Sequence, residues 1–406
     1  MPELLDRVPD LIRLQRRTLW VLSAGQVLSG ISFGATVSLG AVLAAQISGD
    51  DGLSGLASAA ITLGTALTSM PLAALAGRRG RGLALASGMA VALLGVGLVI
   101  AAVPTASFAM LLTGFLLIGA GQASNLQARF AATDLATDAS RGRDLSMVVW
   151  ATTIGAVLGP NLVGPGEALG AIIGMPTLTG PYLFTLAGQL GGIVLYLMAL
   201  RPDPLLLARA DALTRPQGSG LIARPDRPVA AGYAMLTVVG AHTVMVSVMA
   251  MTPIHLLHHG ATLTVVGLTI SLHIAGMFAL SPVFGMLADR WGRLRTVALG
   301  YAILAASAAV IALGASDPMW VTVALILLGL GWSAATVAGA ALLTEASAAE
   351  LRVRRQGRND AAMSLMGALG AVAAGGALGW VGFEGLALFT LPVIVVVVVL
   401  LPLGRR

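Results

Sequence analysis

The chain has 406 residues, of which 57% are hydrophobic and only 10% are charged. A soluble domain carries about a quarter charged residues, so this composition excludes a water-soluble protein and predicts an integral membrane protein. The chain contains no cysteine. That absence excludes disulfides and thiolate metal ligands, so a soft-metal site would have to use methionine and histidine.

Apolar stretches of about 20 residues are needed to cross a bilayer, and on that measure the sequence predicts twelve transmembrane helices in two halves of six. The polar, proline-rich segment 201–228 is predicted to be a cytoplasmic linker between an N-terminal half, 1–200, and a C-terminal half, 229–406. We expect no cleavable signal, because the first apolar run is too long for a signal-peptide core. The predicted spans are 19–46, 53–77, 82–103, 106–129, 143–165, 177–200, 229–257, 263–287, 294–314, 318–342, 359–381 and 385–403.

The positions of the arginines predict the orientation. All 24 basic residues are arginines, and under the twelve-span model they all fall on one face. The positive-inside rule makes that face cytoplasmic, so both termini are predicted to be cytoplasmic. Since the arginines sit at helix ends, the net charge of +6 needs no nucleic-acid partner, and we expect none. The groups lie at 7–17, 78–81, 129–143, 201–227, 290–295, 352–358 and 405–406.

A loop motif follows the eighth predicted span, with the sequence GMLADRWGRLR. It resembles the cytoplasmic loop signature of the major facilitator superfamily, G-x-x-x-D-R-x-G-R-x-R. The resemblance implies an all-α fold of two repeated six-helix halves and a gating role for the loop. The equivalent loop after the second span has Gly77 where the aspartate is expected, so the first copy is degenerate. The matching residues of the second copy are Gly285, Asp289, Arg290, Gly292, Arg293 and Arg295.

Methionine and histidine recur at helical spacing in the seventh and eighth spans, as Met245-x-x-x-Met249 and His273-x-x-x-Met277. Residues four apart share one face of a helix. A short turn joins the two spans, so we expect antiparallel neighbours with Met245 and His273 at similar depth. Thioether and imidazole donors suit copper, above all Cu(I). A histidine inside a span is functional by default, whereas each methionine taken alone is better explained by packing.

This pair of motifs resembles the CcoA-type bacterial copper importers of the same superfamily. The resemblance implies a transporter that supplies copper for assembly of cbb3-type cytochrome c oxidase. It also implies that Met245, Met249, His273 and Met277 are the metal ligands. The wider family includes carriers of other substrates, riboflavin among them.

The other four histidines have several interpretations. His242 is a candidate accessory ligand, a proton acceptor or a hydrogen-bonded polar residue, and His255 is a further candidate accessory. His258 and His259 lie in the predicted outer turn, where they form a candidate outer capture site for metal or are simply solvated. We predict that Met251 is a packing residue.

Together with the resemblance, which alone implies the direction, these features predict a transporter that imports copper across the bacterial cytoplasmic (inner) membrane by alternating access. The expected partners are copper, the lipid bilayer and copper chaperones. We expect a monomer with no permanently bound cofactor and copper as the transported substrate. No carboxylate or arginine was assigned to the middle of a span, so proton-linked transport would depend on histidine. The alternatives are a carrier of a small organic substrate, riboflavin- or drug-like, and a non-transporting copper-binding assembly factor. We expect no enzyme, because no nucleophile–base pair was assigned at membrane depth.

Overall fold

The computed structural model describes residues 2–50, 53, 55–137, 139–214, 226–261 and 263–405. These residues form fifteen α-helices and a short 3₁₀ helix, and no strand occurs within those ranges. The predicted all-α membrane fold is thus confirmed. In the described ranges, nine helical stretches are long and apolar enough to cross a membrane. The count of twelve spans and the location of the termini stay predictions.

Eight helices occupy the first part of the chain. The predicted fifth span is divided between two helices, α5 and α6, and a short helix, α8, begins the predicted linker. The rest of that linker, 215–225, lies outside the described residues. The helices are α1 (Pro2–Ser48), α2 (Gly55–Arg79), α3 (Arg81–Ala102), α4 (Phe108–Ala131), α5 (Arg141–Asn161), α6 (Val163–Ile172), α7 (Tyr182–Ala199) and α8 (Pro204–Thr214).

Seven helices follow the linker. The predicted eighth span is divided between α10 and α11, and α14 contains a turn at Gly382, whose φ of 69° is outside the helical range. That turn lies between the predicted spans 359–381 and 385–403. The helices are α9 (Pro228–His258), α10 (Leu263–Phe278), α11 (Ser281–Arg290), α12 (Arg293–Gly314), α13 (Pro318–Ala346), α14 (Ala349–Phe389) and α15 (Leu391–Val399).

The chain divides into two compact units. The first consists of Met1–Ala136, Ala151–Ala223 and Gln356–Ala361, and the second of Thr137–Trp150, Arg224–Arg355 and Ala362–Arg406. The units differ from the predicted halves in two short segments. Residues 137–150 of the predicted N-terminal half belong to the second unit, and residues 356–361 of the predicted C-terminal half belong to the first unit. The start of α5 is therefore part of the second unit.

Helix α13 is the central helix of the second unit, where it packs along α9, α10 and α12. Small residues make this possible, because a glycine lets a neighbouring backbone approach closely. A Cβ on Gly331 would lie 2.8 Å from the Gly300 carbonyl oxygen of α12. A Cβ on Gly329 would lie 2.4 Å from the His273 carbonyl oxygen of α10. The abundant glycines of this unit thus bring the helices that carry the histidines and methionines into contact with α13.

Candidate functional site

His273 lies on the face of α10 that packs against α13. One turn before it, the hydroxyl oxygens of Thr269 and Thr322 are 2.7 Å apart. About one turn after it, Gly276 and Gly329 bring the two backbones into close approach. The threonine pair, the histidine and the glycine recur every three or four residues along α10, so they form one helix face. His273 is therefore held in a packed seam and is completely buried.

The hydrogen bonding of His273 determines which ring nitrogen can bind a metal. Its Nδ1 lies 2.7 Å from the Leu325 carbonyl oxygen. A carbonyl only accepts, so Nδ1 carries the proton and donates. In the neutral imidazole, Nε2 then has a free lone pair, and this buried atom finds no hydrogen-bond partner among the described residues. A backbone carbonyl that orients a histidine through its other nitrogen is the usual support for a metal-binding imidazole.

The helix that carries His273 ends directly after Met277, the second residue of its motif. Pro282 has no N–H to donate to the Phe278 carbonyl, so the helical hydrogen-bond ladder is interrupted at that point. The Ser281 hydroxyl donates to that carbonyl instead, at 2.7 Å. Interrupted helices are common at the substrate sites of transporters. Met277 is buried at this break.

Met245 and Met249 lie on α9. Met245 lies in a buried stripe of α9 whose residues recur every three or four positions, so Met245 faces the interior of the unit. The other members of the stripe are Val238, Ala241, Val248 and Thr252. Met249 is one turn further along and is half-buried. Both thioethers therefore lie on, or at the edge of, the face of α9 that packs in the second unit.

Trp332 of α13 sets the relative depth of the two motifs. Its indole Nε1 is 3.3 Å from His242 Nδ1 on α9, and its ring is edge-on to Phe278 of α10 with centroids 5.8 Å apart. His242 and Phe278 are thus at one level. At about 1.5 Å per residue, the two methionines of α9 and the His273–Met277 pair of α10 then fall within a slab of about 9 Å. Along their helices, both motifs lie between the level of His242 and Phe278 and the turn that joins α9 to α10.

The sequence predicts that α9 and α10 are direct neighbours. The two helices contact one another only slightly, and each packs along α13. Helix α13 therefore determines their register. Within the described ranges, no group of three or more His, Asp or Glu side chains is placed to hold a metal ion. In the part of the chain that the structure describes, a metal site would accordingly depend on thioethers combined with His273.

His242 has a different hydrogen-bonding role from His273. The indole N–H of Trp332 can only donate, so His242 Nδ1 accepts. The neutral His242 ring then carries its proton on Nε2, which leaves neither nitrogen available as a ligand. Of the interpretations open for His242, the geometry favours the hydrogen-bonded polar residue.

The histidines at the outer end of α9 are of two kinds. His255 is buried, stacks on the Phe383 ring with centroids 4.3 Å apart, and donates from Nε2 to the Ala315 carbonyl oxygen at 2.7 Å. His258 and His259 are exposed. His259 donates from Nδ1 to the His255 carbonyl oxygen at 2.9 Å, which leaves the lone pair of the neutral ring on Nε2. His255 is therefore structural, and the exposed pair can contact an incoming ion.

The loop motif holds the start of α5. The Asp289 carboxylate accepts from the backbone N–H groups of Gly142 and Arg143, both at 2.8 Å, and from the Arg293 guanidinium. A carboxylate at a helix N-terminus satisfies unpaired N–H groups and opposes the helix dipole favourably. A Cβ on Gly285 would lie 2.4 Å from the Gly142 carbonyl oxygen, so only glycine permits this contact. Arg290 is exposed. The gating role of the loop stays a prediction.

Two glycines mark the internal repeat. Gly80 before α3 has a φ of 94°, and Gly292 before α12 has a φ of 106°, a region that favours glycine. In the degenerate first copy, the Gly77 carbonyl accepts from Arg209 of α8. The nearby Gly82 N–H donates to Asp203 at 2.8 Å. The beginning of the linker thus contacts the first copy of the loop motif.

Sequence reasoning missed a buried ion-pair cluster in the first unit. Arg81 pairs with Asp134 at 2.8 Å, and Arg129 pairs with Asp360 at 2.6 Å. All four side chains are almost completely buried. Asp360 lies in the first turn of the predicted eleventh span, after four arginines, so the sequence assigned its surroundings to the solvated interface. The position of Asp360 was itself a sign of an ion pair, because a carboxylate at the start of a span needs a partner.

The fold and these sites define a helical membrane protein of two units with a repeated loop motif. The model of the Major Facilitator Superfamily matches residues 22–260 and 234–406, so the chain belongs to that family. It is 36% identical to the uncharacterized MFS-type transporter YddS of Bacillus subtilis (strain 168), over 87% of this chain and 83% of YddS. It is 32% identical to the riboflavin transporter RfnT of Brucella anthropi, over 86% of this chain and 85% of RfnT.

Among solved structures, the chain resembles the human organic anion transporter MFSD10 (TETRAN). The TM-score is 0.75 and the identity is 15%, over 95% of this chain and 99% of that one. At this identity the likeness shows the fold alone. The family confirms the prediction of a multi-pass membrane transporter.

Proposed function

We propose that the protein imports copper, bound by Met245, Met249, His273 and Met277. The observation that carries the proposal is the Nε2 atom of His273, which has a free lone pair, is completely buried and lacks a partner among the described residues. An unsatisfied polar atom at this depth costs free energy unless something binds it. The three methionines lie on α9 and α10 of the same unit, and their thioethers support a soft metal ion as the group that binds this nitrogen.

The ligand chemistry favours Cu(I). One imidazole and three thioethers form a neutral, soft donor set that suits Cu(I), whereas hard ions such as Mg²⁺ or Ca²⁺ require oxygen ligands. A neutral site also adds no buried negative charge. The bound ion would be released to the cytoplasm when the transporter changes from the outward-facing to the inward-facing conformation. There, bacterial copper chaperones and cbb3-type oxidase assembly would consume it, with the bacterial inner membrane as the location.

Direct uptake tests this function. Bacterial cells that express the chain are expected to accumulate radioactive copper faster than cells that express a variant with alanine at all four ligand positions. Excess riboflavin should leave the rate unchanged. Equal copper uptake in the two strains, at equal amounts of protein in the membrane, would contradict the proposal. Binding of copper by purified protein without uptake would instead indicate a non-transporting assembly factor.

Riboflavin transport is the second candidate, because RfnT is named for that substrate and aligns over most of this chain. In the described part of the second unit, the α9–α14–α15 groove has a volume of about 320 Å³. Its lining is almost entirely aliphatic, which offers little hydrogen bonding to a flavin: Leu236, Val239, Gly240, Thr243, Met366, Pro392, Val393 and Val396. Uptake of radioactive riboflavin, retained in the four-alanine variant, would favour this second function.

The exposed histidines are expected to affect capture rather than turnover. A variant with His258→Ala and His259→Ala should raise the KM for copper uptake by roughly tenfold and leave the maximal rate within about twofold, since such a change removes binding without altering the buried ligands. Uptake rates measured over a range of copper concentrations separate these parameters. Equal amounts of wild-type and variant protein in the membrane are the control. An unchanged KM in the double variant would show that the outer pair does not bind copper.

A further inference from the structure

A short segment of α14, Gln356–Ala361, belongs to the first compact unit. Three contacts hold it there. The Gln356 side-chain oxygen accepts from Arg81 at 2.7 Å, and the Asp360 carboxylate accepts from Arg129 at 2.6 Å. Between them, a Cβ on Gly357 would lie 2.3 Å from the Ala73 side chain of α2. The segment is thus attached to α2, α3 and α4 by close packing and by two buried arginines.

The carboxylate of Asp360 differs from those of Asp134 and Asp289. Both Asp134 oxygens are bonded to Arg81, and both Asp289 oxygens accept backbone N–H groups. Asp360 Oδ1 accepts from Arg129 and, at 3.3 Å, from Asn359. Its Oδ2 is buried and has no hydrogen-bond partner among the described residues. One oxygen of Asp360 is therefore positioned to bind a proton.

The charges around Asp360 make two protonation states possible. The ionised form gains the ion pair with Arg129, but it leaves a charged oxygen without solvent or donors, which is costly. The protonated form removes that cost and gives up the ion pair. The neighbouring charged groups are Arg81 of α3 and its partner Asp134, which together are neutral. The unpartnered oxygen therefore favours binding of a proton, and the ion pair with Arg129 opposes it.

We infer that Asp360 is a proton-binding site through which cytoplasmic pH controls transport. The arginines 352–358 precede it by two to eight residues, and the positive-inside rule predicts that they lie on the cytoplasmic side. A proton from the cytoplasm binds Oδ2 and forms an O–H bond, the charge of the carboxylate is lost, and its ion pair with Arg129 is broken. The same proton returns to the cytoplasm when the carboxyl group ionises again.

The consequence for transport rests on the proposed function. Alternating access requires the packing at the cytoplasmic helix ends to loosen in every cycle. Protonated Asp360 has no ion pair to break, so acidification of the cytoplasm should accelerate copper uptake. Asp360→Asn resembles the protonated form and should take up copper at the accelerated rate at every cytoplasmic pH.

Two measurements test this inference. In cells at constant external pH, a weak permeant acid lowers cytoplasmic pH, and initial radioactive copper uptake should rise on the order of fivefold in the wild type and not at all in Asp360→Asn. Asp317→Asn removes an exposed carboxylate at the start of α13, away from Arg81 and Arg129, so it is the control and should keep the response. Asp360→Glu, which preserves a titratable group, should also keep it. A response to acid in Asp360→Asn equal to that of the wild type would overturn the inference.

The second measurement uses no copper. In metal-free purified protein, infrared difference spectra on acidification should contain a carboxylic acid C=O band that Asp360→Asn lacks and Asp317→Asn retains. An identical band in Asp360→Asn would overturn the proton site. If this band is present but the wild type takes up no copper at any pH, the proposed cargo is wrong and the proton site stands.

Discussion

Replacement of His273 by alanine is expected to abolish copper binding and uptake. His273 supplies the single nitrogen of the proposed donor set, and the Leu325 carbonyl holds its proton on the opposite nitrogen. Loss of an outer-shell partner of a metal site typically lowers affinity by 10- to 100-fold, and loss of the ligand itself should lower it by at least about 100-fold. Copper binding to purified protein, measured against a competing Cu(I) chelator, gives this ratio directly.

A second variant separates the loss of the ligand from a loss of structure. His273→Asn keeps an N–H donor for the Leu325 carbonyl but has no ring nitrogen to bind the metal, so it should fold normally and fail to bind copper. Met245→Ala should weaken binding as well, whereas Met251→Ala should not, because Met251 is predicted to be a packing residue. Copper affinity within about threefold of the wild type in both His273 variants would eliminate this histidine as a ligand, since removal of a strong ligand exceeds that range.

Substitution of Gly329 by valine is expected to destroy the site from the opposite helix. A Cβ at this position would lie 2.4 Å from the His273 carbonyl oxygen and 2.9 Å from the Met277 amide nitrogen. Both are backbone atoms of α10, which cannot rotate away, so α10 has to move away from α13. Overpacking of this kind costs about 1–3 kcal/mol, and here it also shifts the His273–Met277 motif relative to α9. We expect a lower Tm together with the loss of copper binding.

Gly232→Val is the matched control for this substitution. Gly232 lies on α9 of the same unit, and a Cβ there would meet no atom within 4 Å. The control should change Tm little and leave copper affinity intact, because its side chain enters open space. Normal Tm and normal copper affinity in Gly329→Val would show that the α10–α13 seam does not determine the geometry of the site.

Much of the fold was predictable because it depends on local patterns. Apolar runs and arginine clusters set the helices, and the predicted spans coincide closely with α2, α3 and α4. The division within the eighth span was not predicted. In the eighth span, Pro282 interrupts the backbone ladder, and a hydroxyl from Ser281 compensates for the lost donor. Proline was visible in the sequence, but the exact break depended on that local hydrogen bond.

The candidate site was predictable in composition and only partly in geometry. Spacing by four residues placed Met245 with Met249 and His273 with Met277, which is a local property of any helix. The expectation of direct contact between α9 and α10 missed the role of α13, because helix neighbours are chosen by complementary surfaces far apart in the chain. Trp332, which lies between His242 and Phe278, had no local sequence signal for that position.

The sequence by itself determined that this protein is an all-helical membrane transporter, and it identified the methionines and His273 as candidate ligands. Hydropathy, charge and helical spacing are properties of neighbouring residues, so they can be read without a structure. Only the tertiary structure decided which nitrogen of His273 is free, that His255 is structural, and that Asp360 is buried beside Arg129. Each of these depends on a partner 52 or more residues away, and such partners become neighbours only when the helices pack.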